Sequence, residues 1–484
     1  MIRTGDQDPA RRRTKIVATL GPATDDPAVL ERMIHAGADV LRINFSHGTR
    51  AQQIERIEAA REVAARAGCC IALMGDLQGP KIRIESFAAG SVLLESGRKF
   101  ALDTALDPRA GDETAVGVAY PELVEDVAPG DVLLLDDGQI VLQAESVSGT
   151  RIDCRVVQGG ELASKKGLNK RGGGLSAPAL TDKDREDIDT AARTGLDFIA
   201  VSFARDAHDI EEARRLLRAA GGHGYIVAKI ERAEAVQNIK SILDASDAIM
   251  VARGDLAVEV GYASMTGLQK GMIRLARAQN KVSITATQML ESMVHHAAPT
   301  RAEVSDVANA VMDGTDAVML SAETAIGRYP VQAVSTMAEL CIGAEKHETF
   351  KRAANYRLED VFEHVDEAIA MAVMYVANHL KVKAIIALTE SGSTTLWMSR
   401  VRSDIPIYAF TRHETTRRRV TLYRGVYPVS FDVTQTEVEK IPERVFDSLR
   451  QNGALQPGDL VIFTRGELQG VSGGTNTMQI LTVS

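Results

Sequence analysis

The chain reads as an α/β protein: a (β/α)8 TIM barrel with an inserted small β-barrel lid and a C-terminal open α/β sheet. Three observations predict this. Eight β-rich runs alternate with helical periods, three before residue 84 and five after residue 178. Between Ile84 and Ala177 the helical period disappears, and short alternating runs punctuated by Gly, Asp and Pro replace it. From about Glu348 a fresh βα pattern begins. The expected domains are therefore residues 1–84 and 178–347 for the barrel, 85–177 for the lid and 348–484 for the C-terminal unit. An open doubly wound sheet is the competing arrangement. The count of eight, and a polar residue at nearly every strand end, favour the barrel.

Taken in order, TKIVATLGPAT is a strand from Thr14 to Leu20, stopped by Gly21-Pro22, and Asp25-Asp26 open a helix through His35. ADVLRINFS is the second strand, Arg50 to Ala67 an amphipathic helix, and CIALMGDL a third strand ending at Asp76. The order βαβαβ implies a parallel sheet. SVLLESG, KFALD, DVLLLDDGQIVLQAESV and RIDCRVVQGG are the lid's antiparallel strands, and KKGLNKRGGGLSAP is its hinge. Helix and strand then alternate again. Asp182 to Thr194 precedes LDFIAVSF, Asp206 to Ala220 precedes YIVAKIE, and Ala233 to Leu243 precedes AIMVARGDL. Ser264 to Gln279 precedes VSITATQML, Arg301 to Met312 precedes AVMLSAET, and a last helix runs from Pro330 to about His347. In the C-terminal unit a helix from Val365 to Leu380 leads into VKAIIALT and the turn Thr389 to Thr395, which opens a helix. The strands PIYAFT and VYPVSFD, a helix from Thr436 to Gln451, and the strands DLVIFTRG and NTMQILTV complete it.

Composition removes several function classes. Hydrophobic residues make up 45% and charged residues 25%, the balance of a soluble protein with large cores, and only 4% aromatics means those cores are aliphatic. A net charge of −9 with no basic domain or stripe argues against nucleic acid. Arg11 to Arg13 reads as a solvated tail. No apolar run approaches membrane-spanning length and no secretory h-region follows the first basic residues, so no membrane partner and a cytoplasmic location are expected. Cys69, Cys70, Cys154 and Cys341 have no metal-ligand spacing and read as buried thiols of a reducing compartment.

Chemistry concentrates at the strand ends. The C-terminal rim of the barrel would carry Pro22, Arg42, Asn44, Ser46, Asp76, Ser202, Lys229, Glu231, Arg253, Asp255, Thr287, Ser321, Glu323 and Thr324. Strand alternation puts Lys229 and Glu231 on one side, and Asp255 ends the next strand. Two carboxylates beside a lysine and two arginines suit a divalent cation and a phosphate-bearing substrate. The same residues could equally be surface charges and a capping aspartate; Ser202 and Thr324 are read as caps or layer hydrogen bonds. The Ser/Thr-rich turn at Thr389 to Thr395 could hold a phosphate or simply cap its helix. There is no P-loop and no protein-kinase Gly-rich loop with VAIK and HRD, so a kinase here belongs to neither class.

TKIVATLGPA, LRINFSHGT, DLQGPKIR, SKKGLN, AKIE, MVARGDL, TATQMLESM, PTRAEVSDVANAV and MLSAET stand in the order and spacing of pyruvate kinases, and the chain resembles that family over nearly its whole length. The resemblance implies transfer of the phosphoryl group of phosphoenolpyruvate to ADP in glycolysis, giving pyruvate and ATP, in a homotetramer. It implies that Glu231 and Asp255 bind Mg²⁺ (or Mn²⁺), that Lys229 stabilises the phosphoryl group in flight, and that Arg42 meets the substrate phosphate. The Gly254-Asp255 backbone and the Thr287 hydroxyl would hold the substrate carboxylate, and Thr287 is the nearest match to a proton donor, acting through water. Pro22, His47, Arg83 and Lys166 match nucleotide-side positions. Asn44, Ser46, Asp76 and Leu77 match the K⁺ site, but Lys81 stands where K⁺-dependent members carry Glu, so its ammonium is expected to replace the ion. VEVGYASM, TESGSTTLWMSR, PIYAFTRHE and LYRGVYPV resemble the bacterial subgroup regulated by AMP or sugar monophosphates. That implies an effector site at Thr389, Ser391, Gly392, Ser393, Thr394 and Thr395. Two other functions compete: a Mg²⁺-dependent lyase or aldolase acting on pyruvate enolate, and a catalytically silent sugar-phosphate sensor. The lid with Lys165-Lys166 and the C-terminal unit argue against the first, and intact Lys229, Glu231, Asp255, Arg42 and Thr287 against the second.

Overall fold

The computed structural model describes residues 12–347, 362–466 and 474–484. Three strands open the barrel: β1 (Lys15–Thr19), β2 (Val40–Asn44) and β3 (Ala72–Asp76). The lid follows with β4 (Ser91–Leu94), β5 (Lys99–Asp103), β6 (Ala115–Gly117), β7 (Val132–Leu135), β8 (Ile140–Ser148), β9 (Arg151–Gln158), β10 (Gly160–Ala163) and β11 (Leu168–Lys170). The barrel resumes with β12 (Phe198–Val201), β13 (Tyr225–Ile230), β14 (Ala248–Ala252), β15 (Val282–Ala286) and β16 (Ala317–Leu320). The ring closes in the order β1-β16-β15-β14-β13-β12-β3-β2. Strands β3 and β12 pair directly, Met74 opposite Phe198, so the lid is inserted at a strand end without breaking the ring.

Alternation along these strands builds two layers. Ile16, Ala18, Leu41, Ile43, Ile249 and Val251 face outward against the helices. Val17, Val40, Met74, Phe198, Met250, Ile284 and Met319 fill the interior. Each such side chain contributes about 1.5–3 kcal/mol on full burial. Lid strands form a six-stranded sheet, β11-β7-β8-β9-β5-β6, and a two-stranded one, β10-β4, around their own core of Ile84, Phe100, Leu102, Leu133 and Leu142.

The C-terminal strands β17 (Ala384–Leu388), β18 (Ile407–Thr411), β19 (Val426–Ser430), β20 (Leu460–Gly466) and β21 (Thr475–Thr482) order as β19-β18-β17-β20-β21, parallel except for β21. Their domain stoppers the N-terminal end of the barrel. The barrel's inner residues and Ala370, Val373, Met374, Met398 and Tyr423 form one continuous core. Around it, Arg419 stacks on Tyr225 with 3.6 Å to the ring centroid, and Lys15 donates to the Val426 carbonyl at 2.6 Å. Arg400 is paired with Asp316, both side chains 1% exposed.

Several sequence expectations need correction. Arg12 and Arg13 are not a solvated tail. Arg12 pairs with Asp39 at 2.9 Å, and Arg13 reaches Glu345 and the Ser403 carbonyl, stapling the barrel to the C-terminal domain. Arg11 and the boundary expected at 348 lie outside the described residues. Asp255 is not on a strand: β14 ends at Ala252, and Arg253–Val260 is already helix, with Asp255 in its first turn. The helix expected from Ala233 to Leu243 breaks at Asn238 into Ala233–Gln237 and Ile239–Ala245. A helix unseen in the sequence, Glu414–Val420, joins β18 to β19; seven residues with three consecutive arginines give too little apolar period to read. The last long helix is Ile441–Gln451, started by Pro442 in its first turn. Cys69 and Cys70 are only half-buried, while burial pushes the Cys154 and Cys341 thiols up to about 12.

Candidate active site

All eight strand ends converge on one mouth, but the charges there are paired with each other. Asp76, at the end of β3, is 1% exposed. It accepts from Arg42 Nε at 2.6 Å and lies 3.2 Å from Lys229 Nζ. Arg42 also donates to Thr19 Oγ1 at 3.0 Å. Lys229 reaches Glu231 Oε1 at 2.8 Å and Ser202 Oγ at 2.7 Å. Lys81 reaches Asp255 Oδ1 at 3.0 Å. Three carboxylates thus face three protein cations, and the cluster is neutral as it stands.

Burial opposes a charge on Lys229, but Asp76 and Glu231 outweigh it and hold its ammonium above the ordinary lysine range. Burial would also raise Asp76, yet Arg42 and Lys229 keep its carboxyl below the usual range. Glu231 goes the other way. Burial lifts it, Lys229 offsets part of that, and the nearby Asp255 charge lifts it further. Glu231 is anchored on its other oxygen by the Phe203 N–H at 2.8 Å.

That repulsion between Glu231 and Asp255 is what a bound cation would relieve. No group of three or more His, Cys, Asp or Glu that could hold a metal forms among the described residues. A two-carboxylate, all-oxygen donor set suits Mg²⁺ or Mn²⁺, which complete their shells with water and substrate oxygens. It suits Zn²⁺ less well, since zinc sites in proteins are built chiefly on His nitrogen and Cys sulfur.

Thr287 follows β15 and accepts the Gly254 N–H at 2.8 Å while donating to the Ala286 carbonyl at 2.7 Å. Asn44 sits opposite Asp76 in register, and its Oδ1 caps the Ser46 N–H at 3.1 Å. Leu77 is buried; its carbonyl accepts from Ser202 at 2.7 Å. Gly79 turns the chain back with φ 66°, where a Cβ would meet Ser202 and Phe203 within 3 Å, and so aims Lys81 into the mouth. Pro22 and His47 are exposed on the rims of β1 and β2. Arg83 and Lys166 lie instead at the base of the lid, where the entering and leaving strands bridge at Arg83 and Gly167. Arg83 donates to the Lys165 carbonyl at 3.0 Å, and Lys166 pairs with Asp136 at 2.8 Å.

Both rim arginines are anchored by carboxylates. Arg42 is held by Asp76, and Arg253 by Asp306 at 2.7 Å. Sequence reasoning also undervalued Ser202, which touches Lys229; Thr324 is the layer hydrogen bond expected, donating to the Thr19 carbonyl at 2.8 Å. Glu323, fully buried, accepts the Leu290 and Ser321 N–H groups. No local pattern in the sequence distinguishes these positions from ordinary caps.

The lid hinge is fastened to the same helix that carries Asp255. Glu259, 3% exposed, accepts the Ala233 N–H at 2.9 Å and the Asn169 amide at 3.4 Å. Arg232 donates to the Leu175 carbonyl at 2.6 Å. Burial pushes the Glu259 carboxyl up to about 7. Between the ordinary glutamate value and about 7 the folded protein keeps a proton that the unfolded chain has lost, so stability falls as pH rises through that window. Glu259→Gln is therefore expected to raise Tm at pH 8 and to leave it unchanged near pH 4.5; scanning calorimetry at both values checks this, and a lower Tm at pH 8 contradicts it.

In the C-terminal domain a cleft of ≈ 370 Å³ is lined by Thr389, Glu390, Ser391, Ser393, Thr394, Arg412 and Arg465 and by the apolar Phe431, Val433 and Ile441, with Glu390 paired to Arg412 at 3.3 Å. Gly392 and Thr395 are not in its lining. Gly392, φ 87°, caps the helix Ser393–Arg400, and Thr395 donates back to its carbonyl at 2.8 Å.

Fold and mouth together define a barrel enzyme suited to a divalent cation and an anionic substrate. Comparison with known proteins gives the family. The family model for the pyruvate kinase barrel domain matches residues 11–334, and that for the pyruvate kinase alpha/beta domain matches residues 367–481. Pyruvate kinase II of Salmonella typhimurium is 54% identical over 476 residues, 98% of this chain and 99% of that protein. A pyruvate kinase of Buchnera aphidicola is 50% identical over 98% of this chain and 99% of its own length, and one of Haemophilus influenzae is 50% identical over 94% and 96%. The chain belongs to the pyruvate kinase family and is a phosphotransferase with a divalent cation requirement. No helix among the described residues is long and apolar enough to cross a membrane.

Proposed function

We propose that the enzyme transfers the phosphoryl group of phosphoenolpyruvate to ADP, without K⁺ and under control of a phosphorylated metabolite. The observation that carries the reaction is the neutral cluster of three carboxylates and three cations at the mouth. Glu231 and Asp255 would hold the Mg²⁺ or Mn²⁺. When bound, the cation supplies charge neutralisation to the phosphate and carboxylate oxygens.

In the reaction the enol O–P bond breaks, a β-phosphate oxygen of ADP bonds to phosphorus, and the enolate left behind takes a proton at carbon. Lys229 is fixed by Glu231, Asp76 and Ser202, and its ammonium would face the transferring group without reorganisation. Arg42 would add charge on the phosphate side. The Gly254-Asp255 backbone and Thr287 would orient the carboxylate. The hydroxyl proton of Thr287 is engaged with Ala286, so protonation at carbon would run through an ordered water rather than directly from Thr287. Pro22 and His47 on the rim, with Arg83 and Lys166 on the lid, would enclose the nucleotide and exclude water as a competing acceptor.

Independence of K⁺ is supported by Lys81, whose ammonium stands at the mouth beside Asp255, and by Asp76, which already carries two protein cations where Asn44, Ser46, Asp76 and Leu77 would otherwise hold the ion. Regulation is supported by the cleft at Thr389, Ser391, Ser393 and Thr394, where hydroxyls and a helix start meet Arg465 and the Glu390-paired Arg412. Initial rates with phosphoenolpyruvate, ADP and Mg²⁺ in Tris buffer, with and without KCl at matched ionic strength and across a panel of phosphorylated metabolites, test all three. Full turnover without K⁺ is expected. A KCl activation of about tenfold, the size of a lost charge contact of 1.4 kcal/mol, contradicts the role given to Lys81.

A further inference from the structure

Two consecutive residues at the mouth, Thr287 and Gln288, adopt left-handed backbone, φ 68° and 53°. Neither is glycine, and Thr287 is β-branched, the kind of side chain for which that region is least tolerated. Such a turn persists only where its surroundings over-determine it.

One side chain supplies most of that constraint. Arg253 Nε donates to the Ala286 carbonyl at 3.3 Å, and Nη2 donates to the Thr287 carbonyl at 2.7 Å and the Gln288 carbonyl at 3.3 Å. Its Nη1 is held by Asp306 on the helix Arg301–Asp313, 2.7 Å from Oδ1. The guanidinium therefore grips three successive carbonyls from one anchor. Beyond the turn, buried Glu323 accepts the Leu290 N–H at 3.0 Å and closes the far side. The consequence lies at the mouth, where Thr287 Oγ1 is set 2.8 Å from the Gly254 nitrogen.

We propose that Arg253 is a positioning residue for the reaction. It binds no substrate; it holds Thr287 and Gln288 in their left-handed turn so that the Thr287 hydroxyl and the Gly254 N–H stay in register for the substrate carboxylate. This rests on the reading of Thr287 and Gly254 given above. A lysine at 253 keeps the charge but not the planar fork, so it cannot grip three carbonyls.

A double-mutant cycle tests the clamp. Gln288 is exposed, and glycine takes positive φ without steric cost, so Gln288→Gly alone should leave kcat/KM for phosphoenolpyruvate within about twofold. Arg253→Lys should lower kcat/KM for phosphoenolpyruvate by about tenfold or more while KM for ADP stays within about twofold. In the Gln288→Gly background the same substitution should cost only about threefold, because one of the two left-handed residues no longer needs the clamp. Equal losses in both backgrounds, or a matching rise in KM for ADP, would overturn the proposal. Should Arg253→Lys fail to fold, Asp306→Asn, which loosens the anchor, must show the same dependence on residue 288. Wild-type enzyme in the same assay separates the two ideas. No wild-type turnover defeats the assigned reaction, whereas wild-type turnover with an additive cycle defeats the clamp alone.

Discussion

Lys229→Met is expected to lower the rate of phosphoryl transfer by about 10²–10³-fold or more, the cost of removing one pre-oriented charge donor from a transition state. The ammonium is positioned before any substrate arrives, by Glu231 at 2.8 Å, Ser202 at 2.7 Å and Asp76 at 3.2 Å. It stays protonated well past neutral pH, because Asp76 and Glu231 more than offset its burial. Methionine has similar length and flexibility, so packing is kept while charge is lost. With Lys229 gone, Glu231 has one fewer cation beside it, and binding of Mn²⁺ should be retained or tightened. Single-turnover kinetics measured beside Mn²⁺ titration by electron paramagnetic resonance checks both effects. A rate within about tenfold of wild type contradicts the role given to Lys229.

Asp316→Asn is expected to destabilise the fold by about 3–5 kcal/mol, since it removes one partner of a fully buried ion pair. Asp316 stands just before β16 and takes two guanidinium nitrogens of Arg400 and the Ser283 N–H. Nearby, burial and the charges of Arg400 and Arg424 push the Arg277 guanidinium down to about 9, and burial lowers Arg424 to about 10. Those arginines remain charged at neutral pH and lose their shared counter-charge in the variant. A fall in Tm on the order of 10 °C follows, readable by calorimetry. A Tm within about 2 °C of wild type would show that Arg277, Arg400 and Arg424 do not depend on Asp316.

How much of this was legible in the sequence depends on the kind of signal. The barrel was, because its strands are short apolar runs at regular spacing, and because Lys229, Glu231 and Asp76 end them. The helix Glu414–Val420 was not, since it is short and docks through arginines rather than an apolar stripe; Arg419 stacks on Tyr225 of the barrel. Arg12 and Arg13 looked like a tail because their partners, Asp39, Glu345 and the Ser403 carbonyl, lie 27 to 390 residues away in the chain. The site divides in the same way. Residue types at strand ends named the charged groups, but not which cation faces which carboxylate. That Arg42 serves Asp76, that Lys81 serves Asp255 and that Arg253 serves a backbone turn are facts of three-dimensional pairing.

Phosphorus NMR of the wild-type enzyme with phosphoenolpyruvate, ADP and MgCl₂ in K⁺-free buffer tests the proposed reaction most directly. The phosphoenolpyruvate signal should decay as the γ-phosphate signal of ATP grows in equal amount. Release of inorganic phosphate without ATP, or a phosphoenolpyruvate signal that does not change, would contradict phosphoryl transfer at the Lys229, Glu231 and Asp255 mouth.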